Sequence, residues 1–426
     1  MNRWIICLAG TAINICLGVL YSWSIFVVPL IDKYGAEAGF SRASLTWPFT
    51  ASIFTFALVM VYAGRLQDRI GPRIVCTIGA AIMGAGFILT SFAGSVPAII
   101  LTYGVIGGAG VAFGYVTPVV TTIKWFPDMK GLTVGITVAG FGFGAFVFTP
   151  IAVKLIKSVG ISSAFLYLGL IFLIAVGLLA QLLQIPPAGY RPEGWTPPPP
   201  KPGGVKAARD YTPGEAVKTA TFWTLWLAFL GNAGVGLMVI SLIAPYAKSL
   251  GMSPETAAFM IGFLSIANGF GRIIAGWLSD VMGRTRAMIL IFGITTVTIF
   301  LLPFIAGTTL GFATGLMIAG AAYGSNFALF PAATAEYFGT KNLGVNYAAV
   351  FTAWGVAGVV GPRVKAYMLA SRTAGLERGT PEFTQAALGA YKTAFMVGTG
   401  LGLLAVVMAI VTKPPKEVAP AAATGR

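Results

Sequence analysis

The segment FLSIANGFGRIIAGWLSDVMGRTR, residues Phe263–Arg286, combines a long apolar helix with a single internal arginine and a charged turn. Arg272 lies well inside the apolar part, and the turn contains Asp280 and Arg284. An arginine at the centre of a membrane-spanning helix costs about 2.5–3.5 kcal/mol on insertion scales, so its presence there indicates a function. We interpret Arg272 as the fixed cation of an anion-binding site, and the turn as part of a gate.

The composition of the chain is that of a membrane protein. Of its 426 residues, 57% are hydrophobic and only 10% are charged, whereas soluble domains carry about 25% charged residues. The formal net charge is +15, but the Lys and Arg residues lie in short loops between apolar runs. This pattern sets membrane orientation and requires no nucleic-acid partner. The three cysteines lie in or beside apolar runs and the sequence has no histidine, so we expect no disulfide framework, metal site or cofactor.

Twelve apolar runs are each long enough to cross about 30 Å of hydrocarbon, and no alternating strand pattern separates them. We therefore predict an all-α membrane protein with twelve transmembrane helices. The runs are Trp4–Leu30, Leu45–Gly64, Ile74–Phe92, Pro97–Ile123, Leu132–Ile156, Ser162–Ile185, Phe222–Lys248, Pro254–Ser279, Ala287–Ala306, Leu310–Glu336, Leu343–Leu369 and Ala386–Thr412.

The longest polar interruption separates the first six runs from the last six. It contains the proline tract Pro197–Pro200 and several basic residues, which is typical of a semi-rigid linker. We predict an N-terminal six-helix bundle over residues 1–185, a cytoplasmic linker over 186–221, a C-terminal six-helix bundle over 222–412 and a cytoplasmic tail over 413–426.

The two halves share punctuating residues at a constant offset of 212 positions. The pairs are Gly64 and Gly276, Asp68 and Asp280, Gly71 and Gly283, Phe126 and Phe338, and Pro150 and Pro362. Several matches at one offset indicate two parallel repeats related by a pseudo-two-fold axis. Placing both termini and the linker on one side puts most Lys and Arg residues there, so we predict that this side is cytoplasmic and that the chain spans the cell (inner) membrane.

The repeated turn carries a family resemblance. GRLQDRIGPR, which begins at Gly64, and GWLSDVMGRTR, which begins at Gly276, resemble the signature loop of the major facilitator superfamily, which follows its second and eighth helices. With twelve spans and a central linker, the resemblance covers essentially the whole chain. It implies two six-helix bundles around a central site that work by alternating access. The gating residues that it implies on the cytoplasmic side are Asp68, Arg69, Asp280 and Arg284.

A narrower resemblance is to the oxalate–formate antiporter and monocarboxylate transporter branch of that superfamily. It rests on YSW (Tyr21–Trp23), GAGVAFGY (Gly108–Tyr115), KWFPDMKG (Lys124–Gly131), ALFPA (Ala328–Ala332) and Arg272. In that branch the eighth-helix arginine binds the substrate carboxylate, which implies this role for Arg272. Two positions depart from the pattern. Trp354 stands where the oxalate exchanger has a second cation, a lysine, and Asn268 stands where the animal carriers have an aspartate. With Trp354 in place of the lysine, one cation remains, which suits a substrate with one carboxylate. With Asn268 in place of the aspartate, the acid needed for proton coupling through an Asp–Arg route is missing.

Arginine suits this role because its guanidinium stays charged and can grip a carboxylate with two parallel hydrogen bonds. Asn268 and Arg272 are four residues apart and so share one helix face. The candidate substrate-binding residues are Arg272, Asn268, Tyr323, Tyr115, Asn326, Phe327, Trp354 and Leu20. Each aromatic residue is equally compatible with ordinary bundle packing, and a structural role for Arg272 is the alternative to a binding role.

We predict a secondary transporter of small monocarboxylates of the lactate, pyruvate or acetate type, acting as a monomer with the anion, a proton and membrane lipid as its partners. All 13 acidic residues fall at span ends or in loops, so proton symport and anion exchange both remain open, with symport preferred. A carrier for another small organic solute is the main alternative. A sensor would usually carry a larger soluble extension, an enzyme lacks any catalytic constellation here, and a channel lacks a continuous pore-lining pattern.

Overall fold

The computed structural model of the protein describes residues 2–35, 37–196, 209–377 and 380–415. These described residues form helices, turns and loops, with no strand among them. Ten helices within them are long and apolar enough to cross a membrane. One of these, Lys130–Ala180, has 51 residues and divides at Gly160, where φ is +80°. With this division and the helix Pro254–Met282, the predicted twelve spans are present.

The helices follow one another in chain order, through short loops except for the linker between α7 and α8. They are α1 (Arg3–Leu17), a 3₁₀ turn (Gly18–Ser22), α2 (Ser24–Tyr34), α3 (Thr46–Ile70), α4 (Pro72–Thr90), α5 (Val96–Ile99), a π-helical segment (Ile100–Gly107), α6 (Gly108–Trp125), α7 (Lys130–Ala180), α8 (Pro213–Ala216), α9 (Ala220–Ser249), α10 (Pro254–Met282), α11 (Arg284–Ile305), α12 (Thr309–Phe338), α13 (Leu343–Thr373) and α14 (Pro381–Val411).

Two spans are less regular than the sequence indicates. The first run, predicted over Trp4–Leu30, is α1 and α2 joined by a 3₁₀ turn. Gly18 begins this turn and lies against Gly144 of α7, where a Cβ atom would come within 2.8 Å of the Gly144 Cα. The fourth run, predicted over Pro97–Ile123, begins in α5 and continues through a π-helical segment into α6.

The repeated sequence motif forms the same turn twice. Gly71 ends α3 with φ +88°, and Gly283 ends α10 with φ +90°. Because L side chains rarely adopt positive φ, glycine is required at both turns. Each turn passes directly into the following helix, α4 or α11. The turns therefore set the helix ends from which Asp68 and Asp280 project.

One face of the bundle carries the start of α1, the repeated turns, the first part of the linker and the end of α14. Arg3 at this face forms an ion pair with Asp128 in the α6–α7 loop, with 2.7 Å between nitrogen and oxygen. Thr221 at the start of α9 donates to the carbonyl oxygen of Lys413. We call this surface the linker face.

The last part of the linker, from residue 209 onwards, contacts the second half of the chain. Tyr211 is buried, and its backbone N–H donates to the Phe338 carbonyl at 2.9 Å. The Asp210 carboxylate accepts from the backbone N–H groups of Thr340 and Lys341. The predicted proline tract Pro197–Pro200 and most of the predicted tail lie outside the described residues. The exact boundaries of the two bundles, the linker and the tail stay predictions.

Candidate substrate-binding site

Arg272 of α10 is completely buried, at 0% exposure. Its Nε donates to Asn268 Oδ1 at 3.1 Å, one helical turn earlier, and its Nη1 donates to the backbone carbonyl of Val138 in α7 at 2.7 Å. The third guanidinium nitrogen, Nη2, is buried without a hydrogen-bond partner. In the described part of the chain, Arg272 forms no ion pair. The guanidinium is therefore held by two neutral acceptors and keeps unused donor capacity.

Close packing of α7 against α10 explains how Arg272 reaches across to the first half. A Cβ atom on Gly142 of α7 would come within 3.0 Å of the Gly269 Cα in α10. Glycine at such positions lets two helix backbones approach, as is common in membrane bundles. The close approach brings the Val138 carbonyl within hydrogen-bond distance of the guanidinium. Arg272 thus joins the two halves of the molecule.

Aromatic rings cover the guanidinium. The Arg272 Cζ lies 4.3 Å from the centroid of the Phe327 ring in α12 and 5.9 Å from that of Phe141 in α7. A cation over an aromatic face is attracted by the negative ring surface, by about 2 kcal/mol or more where water is excluded. The two rings therefore compensate part of the cost of burying the charge.

Tyrosine hydroxyl groups form the polar part of the surroundings. The Tyr323 hydroxyl accepts a hydrogen bond from Trp354 Nε1 at 2.8 Å and lies 3.2 Å from the Tyr21 hydroxyl. The Tyr115 hydroxyl lies 3.5 Å from that of Tyr347. The tyrosines of both pairs lie within electrostatic range of Arg272. Each pair joins a residue of the first half to one of the second.

The structure brings five of the eight predicted site residues into one group with direct contacts. Arg272 contacts Asn268 and Phe327, Phe327 lies 5.4 Å from Tyr323 between ring centroids, and Tyr323 bonds to Trp354. All of these side chains are buried, with exposures between 0% and 4%. The structure therefore shows a state in which Arg272 is shielded from solvent.

The other predicted residues are more distant from the guanidinium. Tyr115 reaches it through Phe141, at 5.6 Å between ring centroids. The Asn326 amide donates to the Tyr323 carbonyl and accepts from Asn232 Nδ2 at 2.9 Å, so its polar atoms are engaged within the second half. Leu20 is buried in the 3₁₀ turn. A binding role for these three stays a prediction.

The sequence reasoning did not single out four residues that surround the site. Tyr21 and Phe141 face Arg272 from the first half, Val138 supplies a backbone carbonyl, and Tyr347 pairs with Tyr115. Tyr21 had a signal, because it is a polar aromatic residue inside an apolar run. A backbone carbonyl acceptor leaves no signal in side-chain identity, so Val138 was not predictable.

The repeated aspartates connect the two halves at the linker face. Asp68 at the end of α3 accepts from the backbone N–H groups of Gly344 and Val345, at 3.1 and 3.0 Å, in the first turn of α13. The first four N–H groups of a helix lack intrahelical acceptors, and the helix dipole favours a negative charge there. Asp68 therefore holds the end of one half against the other.

Asp280 makes the corresponding contact from the second half to the first. Its carboxylate accepts from the N–H groups of Gly131 and Leu132, at 2.9 and 2.8 Å, in the first turn of α7. Arg284 adds ion pairs to Asp280 at 2.7 Å and to Glu336 at 3.0 Å. We call the two aspartate–helix contacts the latches. Both connect the halves, so the linker face is closed.

Arg69, the other predicted gating residue, lies beside the first latch but does not take part in it. Its side chain is exposed and forms no hydrogen bond or ion pair within the described residues. A gating role for Arg69, and for the latch residues during transport, stays a prediction.

A comparison with known protein families matches residues 11–362 to the family model of the Major Facilitator Superfamily. The chain belongs to this superfamily. Among curated relatives, the oxalate:formate antiporter of Oxalobacter formigenes is 33% identical over 362 residues, which cover 84% of this chain and 83% of the antiporter. Monocarboxylate transporter 13 of Rattus norvegicus is 24% identical over 359 residues, covering 82% and 78%. These matches fit the predicted oxalate–formate and monocarboxylate branch.

Solved structures agree on the fold. The Escherichia coli fucose:proton symporter matches with a TM-score of 0.70 at 13% identity, covering 97% of this chain and 100% of the symporter. The proton:xylose symporter matches with a TM-score of 0.69 at 14% identity, covering 96% of each chain. As a member of this superfamily, the chain is a multi-pass membrane transporter and not an enzyme, as predicted. Two six-helix bundles in the superfamily fold place Arg272 between them.

Proposed function

We propose that this transporter carries small monocarboxylates and that Arg272 binds the substrate carboxylate. The observation that supports this is a buried guanidinium that has no ion pair among the described residues and one nitrogen without a hydrogen-bond partner. An uncompensated buried charge is costly. A carboxylate would supply both the missing acceptor and the missing negative charge, through charge-assisted hydrogen bonds.

The surroundings of Arg272 favour an anion with one carboxylate and a small organic remainder. Arg272 is the one cation among the buried site residues, and Phe141, Phe327 and Trp354 supply apolar surface around it. The Asn268 amide and the Tyr323 hydroxyl can hydrogen-bond a hydroxyl or keto oxygen next to the carboxylate. Lactate, pyruvate and acetate fit this combination. A dicarboxylate would bring a second charge without a second cation.

The transport cycle that we propose alternates access across the site. The latches hold the linker face closed, and we propose that this face is cytoplasmic in the cell membrane. Opening it would break the four backbone contacts of Asp68 and Asp280 and separate Tyr21 from Tyr323. Substrate binding would neutralise Arg272 and so lower the cost of moving the site between the two faces.

Proton symport is the coupling that we favour, because Trp354 stands where the oxalate exchanger has a second cation, and the lack of that cation is a feature shared with monocarboxylate carriers. Two relatives have names consistent with this substrate class: monocarboxylate transporter 13, and the apicoplast pyruvate carrier 1 of Toxoplasma gondii, which is 25% identical over 449 residues, covering 80% of this chain and 79% of the carrier. The second candidate is anion exchange, supported by the similarity to the oxalate:formate antiporter.

Uptake by the purified protein in liposomes separates these possibilities. Radiolabelled lactate, pyruvate, acetate, formate and oxalate would be tested one at a time, with an imposed pH gradient or with unlabelled anion inside. Symport predicts accumulation of a monocarboxylate that follows the pH gradient. Exchange predicts no response to the gradient and strong stimulation by internal anion. Uptake of none of these acids would contradict the proposed substrate class.

The role of Arg272 is tested by Arg272→Gln, with Arg286→Gln as the matched control. Arg286 is an exposed arginine at the linker face. We expect Arg272→Gln to abolish uptake while expression and the size-exclusion profile stay normal, and Arg286→Gln to keep uptake within about twofold. Normal uptake by Arg272→Gln would show that the carboxylate binds elsewhere.

A further inference from the structure

A second group of cations lines a cavity at the linker face, and Arg272 is not among the lining residues. The cavity has a volume of about 420 Å³, which lies within the range of small-molecule sites. Its walls come from the α6–α7 loop, from the first part of the linker and from the α12–α13 loop of the other half. The lining residues that carry the argument are Lys124, Lys130, Arg191, Tyr190, Trp195 and Thr340.

The three cations that line this cavity are not neutralised by contact. Among the described residues, the side chains of Lys124, Lys130 and Arg191 form no hydrogen bond or ion pair. Lys124 and Lys130 are also partly buried, so water screens their charges less than it does at an open surface. Three positive charges converging on one partly enclosed space attract an anion of more than one charge.

The acids within electrostatic range of Lys124 already have other partners. They are Asp68 and Asp210. Asp68 accepts from two backbone N–H groups of α13, and Asp210 accepts from those of Thr340 and Lys341. These carboxylates are directed at backbone groups, so the Lys124 ammonium keeps its donors for a ligand in the cavity.

The acids within electrostatic range of Lys130 also have other partners already. The acids within its electrostatic range are Glu336 and Asp280, and both are in ion pairs with Arg284. Arg284 also repels the Lys130 ammonium. Lys130 therefore faces the cavity with its charge available.

The ligand class follows from the charges and the aromatic wall together. Phosphate groups carry about −1.5 to −2 charges and several acceptor oxygens, and they match lysine and arginine clusters. Tyr190 and Trp195 line the same cavity and are only partly buried, so a flat ring can stack on them, as bases do on aromatic side chains. We propose that this cavity is a regulatory site for a nucleoside phosphate, with Lys124, Lys130 and Arg191 binding the phosphates.

Binding at this site would favour the closed linker face. Thr340 belongs to the second half, whereas the other lining residues belong to the first half and the linker. Thr340 is also only four residues before Gly344, where the first latch is attached. A ligand that requires walls from both halves binds the closed arrangement more tightly than the open one, and so shifts the population towards it. A ligand bound at this site therefore inhibits transport. This inference extends the proposed transport function and does not depend on which anion is carried.

Direct binding to the purified full-length protein tests the site. The probes are radiolabelled ATP and ADP, with inorganic phosphate as competitor, in nanodiscs made either of neutral lipid or with added phosphatidylglycerol. We expect the double variant Lys124→Gln/Lys130→Gln to weaken ATP binding at least tenfold. Lys218→Gln removes an exposed lysine from the same face, outside the cavity, and we expect it to stay within twofold of the parent protein.

A second pair of variants separates this site from the substrate site and from lipid. Arg272→Gln should bind ATP as the parent does, and its failure to do so would place the nucleotide at Arg272 and overturn the proposal. Trp195→Leu should weaken ATP binding several-fold and leave competition by phosphate unchanged. Equal ATP binding by the lysine variants would overturn the proposal. Loss of ATP binding by the parent protein when phosphatidylglycerol is added would assign the cavity to a lipid headgroup and also overturn it.

Discussion

The two halves of this transporter are alike at the linker face. Asp68 ends α3, Asp280 ends α10, and each carboxylate accepts two backbone N–H groups from the first turn of a helix in the opposite half. The two aspartates are 212 positions apart, and so are the glycines of the turns that follow them. Closing one face needs a contact on each side of the pseudo-two-fold axis, and the repeat supplies the same contact twice.

Two to three helical turns further into the membrane, the halves differ. The positions that correspond to Asn268 and Arg272 at the same offset are Phe56 and Met60. Both are buried apolar residues; Phe56 packs within the aromatic group around Tyr115, at 5.3 Å between ring centroids. A single anion needs a single cation, and a second buried arginine would repel the first. The comparison shows that the aspartate contacts at the linker face are shared between the halves, whereas the buried arginine has no counterpart at the corresponding position of the first half.

The largest effect that tests this comparison is expected from Arg272→Lys. A lysine ammonium keeps the charge but lacks the planar fork that reaches Asn268, Val138 and a carboxylate at once. Losing charge-assisted hydrogen bonds of about 1.5–3 kcal/mol each should reduce the initial rate of uptake about 100-fold. The measurement is uptake of the substrate identified in liposomes.

Met60→Leu is the matched control for this variant, because it changes the corresponding buried position of the first half by a volume-conserving substitution. We expect it to retain at least half of the parental rate. If Arg272→Lys also retained half of the rate, a positive charge alone would suffice for uptake. The proposal that Arg272 binds the carboxylate through two parallel hydrogen bonds would then be wrong.

The next largest effect is expected from alanine at the glycines where the halves cross. A methyl group on Gly64 would overlap the Gly344 carbonyl, and one on Gly276 would overlap the Gly131 carbonyl. Overpacking of this kind costs about 2 kcal/mol, which corresponds to about 30-fold less of the closed linker face. We expect uptake by either variant to fall at least tenfold.

Gly177→Ala and Gly293→Ala are the controls for these variants, because nothing lies within 4 Å of a Cβ atom at either position. They should transport at the parental rate. Equal loss in all four alanine variants would mean that helix propensity or folding, and not the crossing of the halves, causes the effect.

Much of this fold was readable from sequence because the bilayer imposes strong rules. Run length, the position of the longest polar segment and the offset of the paired glycines and aspartates predicted the twelve helices and the superfamily. The sequence could not predict that a 3₁₀ turn would interrupt the first span, or that a π-helical segment would join α5 to α6 in the fourth. These details depend on packing between helices, which single-sequence periodicity does not report.

Contacts around Arg272 were predictable where the residue type itself is unusual. A mid-span arginine and the asparagine one turn earlier do contact each other, as their spacing required. Asn326 shows the limit of that reasoning, because its position on α12 gave no sign that its amide would bond to Asn232 of α9. Helix faces can be read from spacing, whereas the neighbouring helix that each face meets is set by the tertiary arrangement.

A smaller effect is expected from neutralising each latch separately. Asp68→Asn and Asp280→Asn each remove a negative charge from a helix start, worth about 1 kcal/mol. Asp280 is also paired with Arg284, whose counterpart in the first half is Pro72. We therefore expect the population of the closed linker face to fall about tenfold in Asp280→Asn and about fivefold in Asp68→Asn. Hydrogen–deuterium exchange of the amides at 131–132 and 344–345 measures this change directly.

The exchange pattern also tests whether the two latches open together. If the halves move as rigid bundles, either variant should speed exchange at both latches, since one opening exposes both. Faster exchange confined to the latch that carries the substitution would mean that each helix start frays by itself, and the shared role in closure would be wrong.

The smallest effect is expected from the tyrosine pairs that join the halves beside Arg272. Tyr21→Phe removes a hydrogen bond of 3.2 Å to the Tyr323 hydroxyl, which keeps its bond from Trp354, so the cost should be about 0.5–1 kcal/mol. Tyr115→Phe removes a longer contact, 3.5 Å, and should cost less. We expect KM for uptake to change three- to fivefold in Tyr21→Phe and less than twofold in Tyr115→Phe. The reverse order would place the substrate nearer the pair Tyr115 and Tyr347 than the pair Tyr21 and Tyr323.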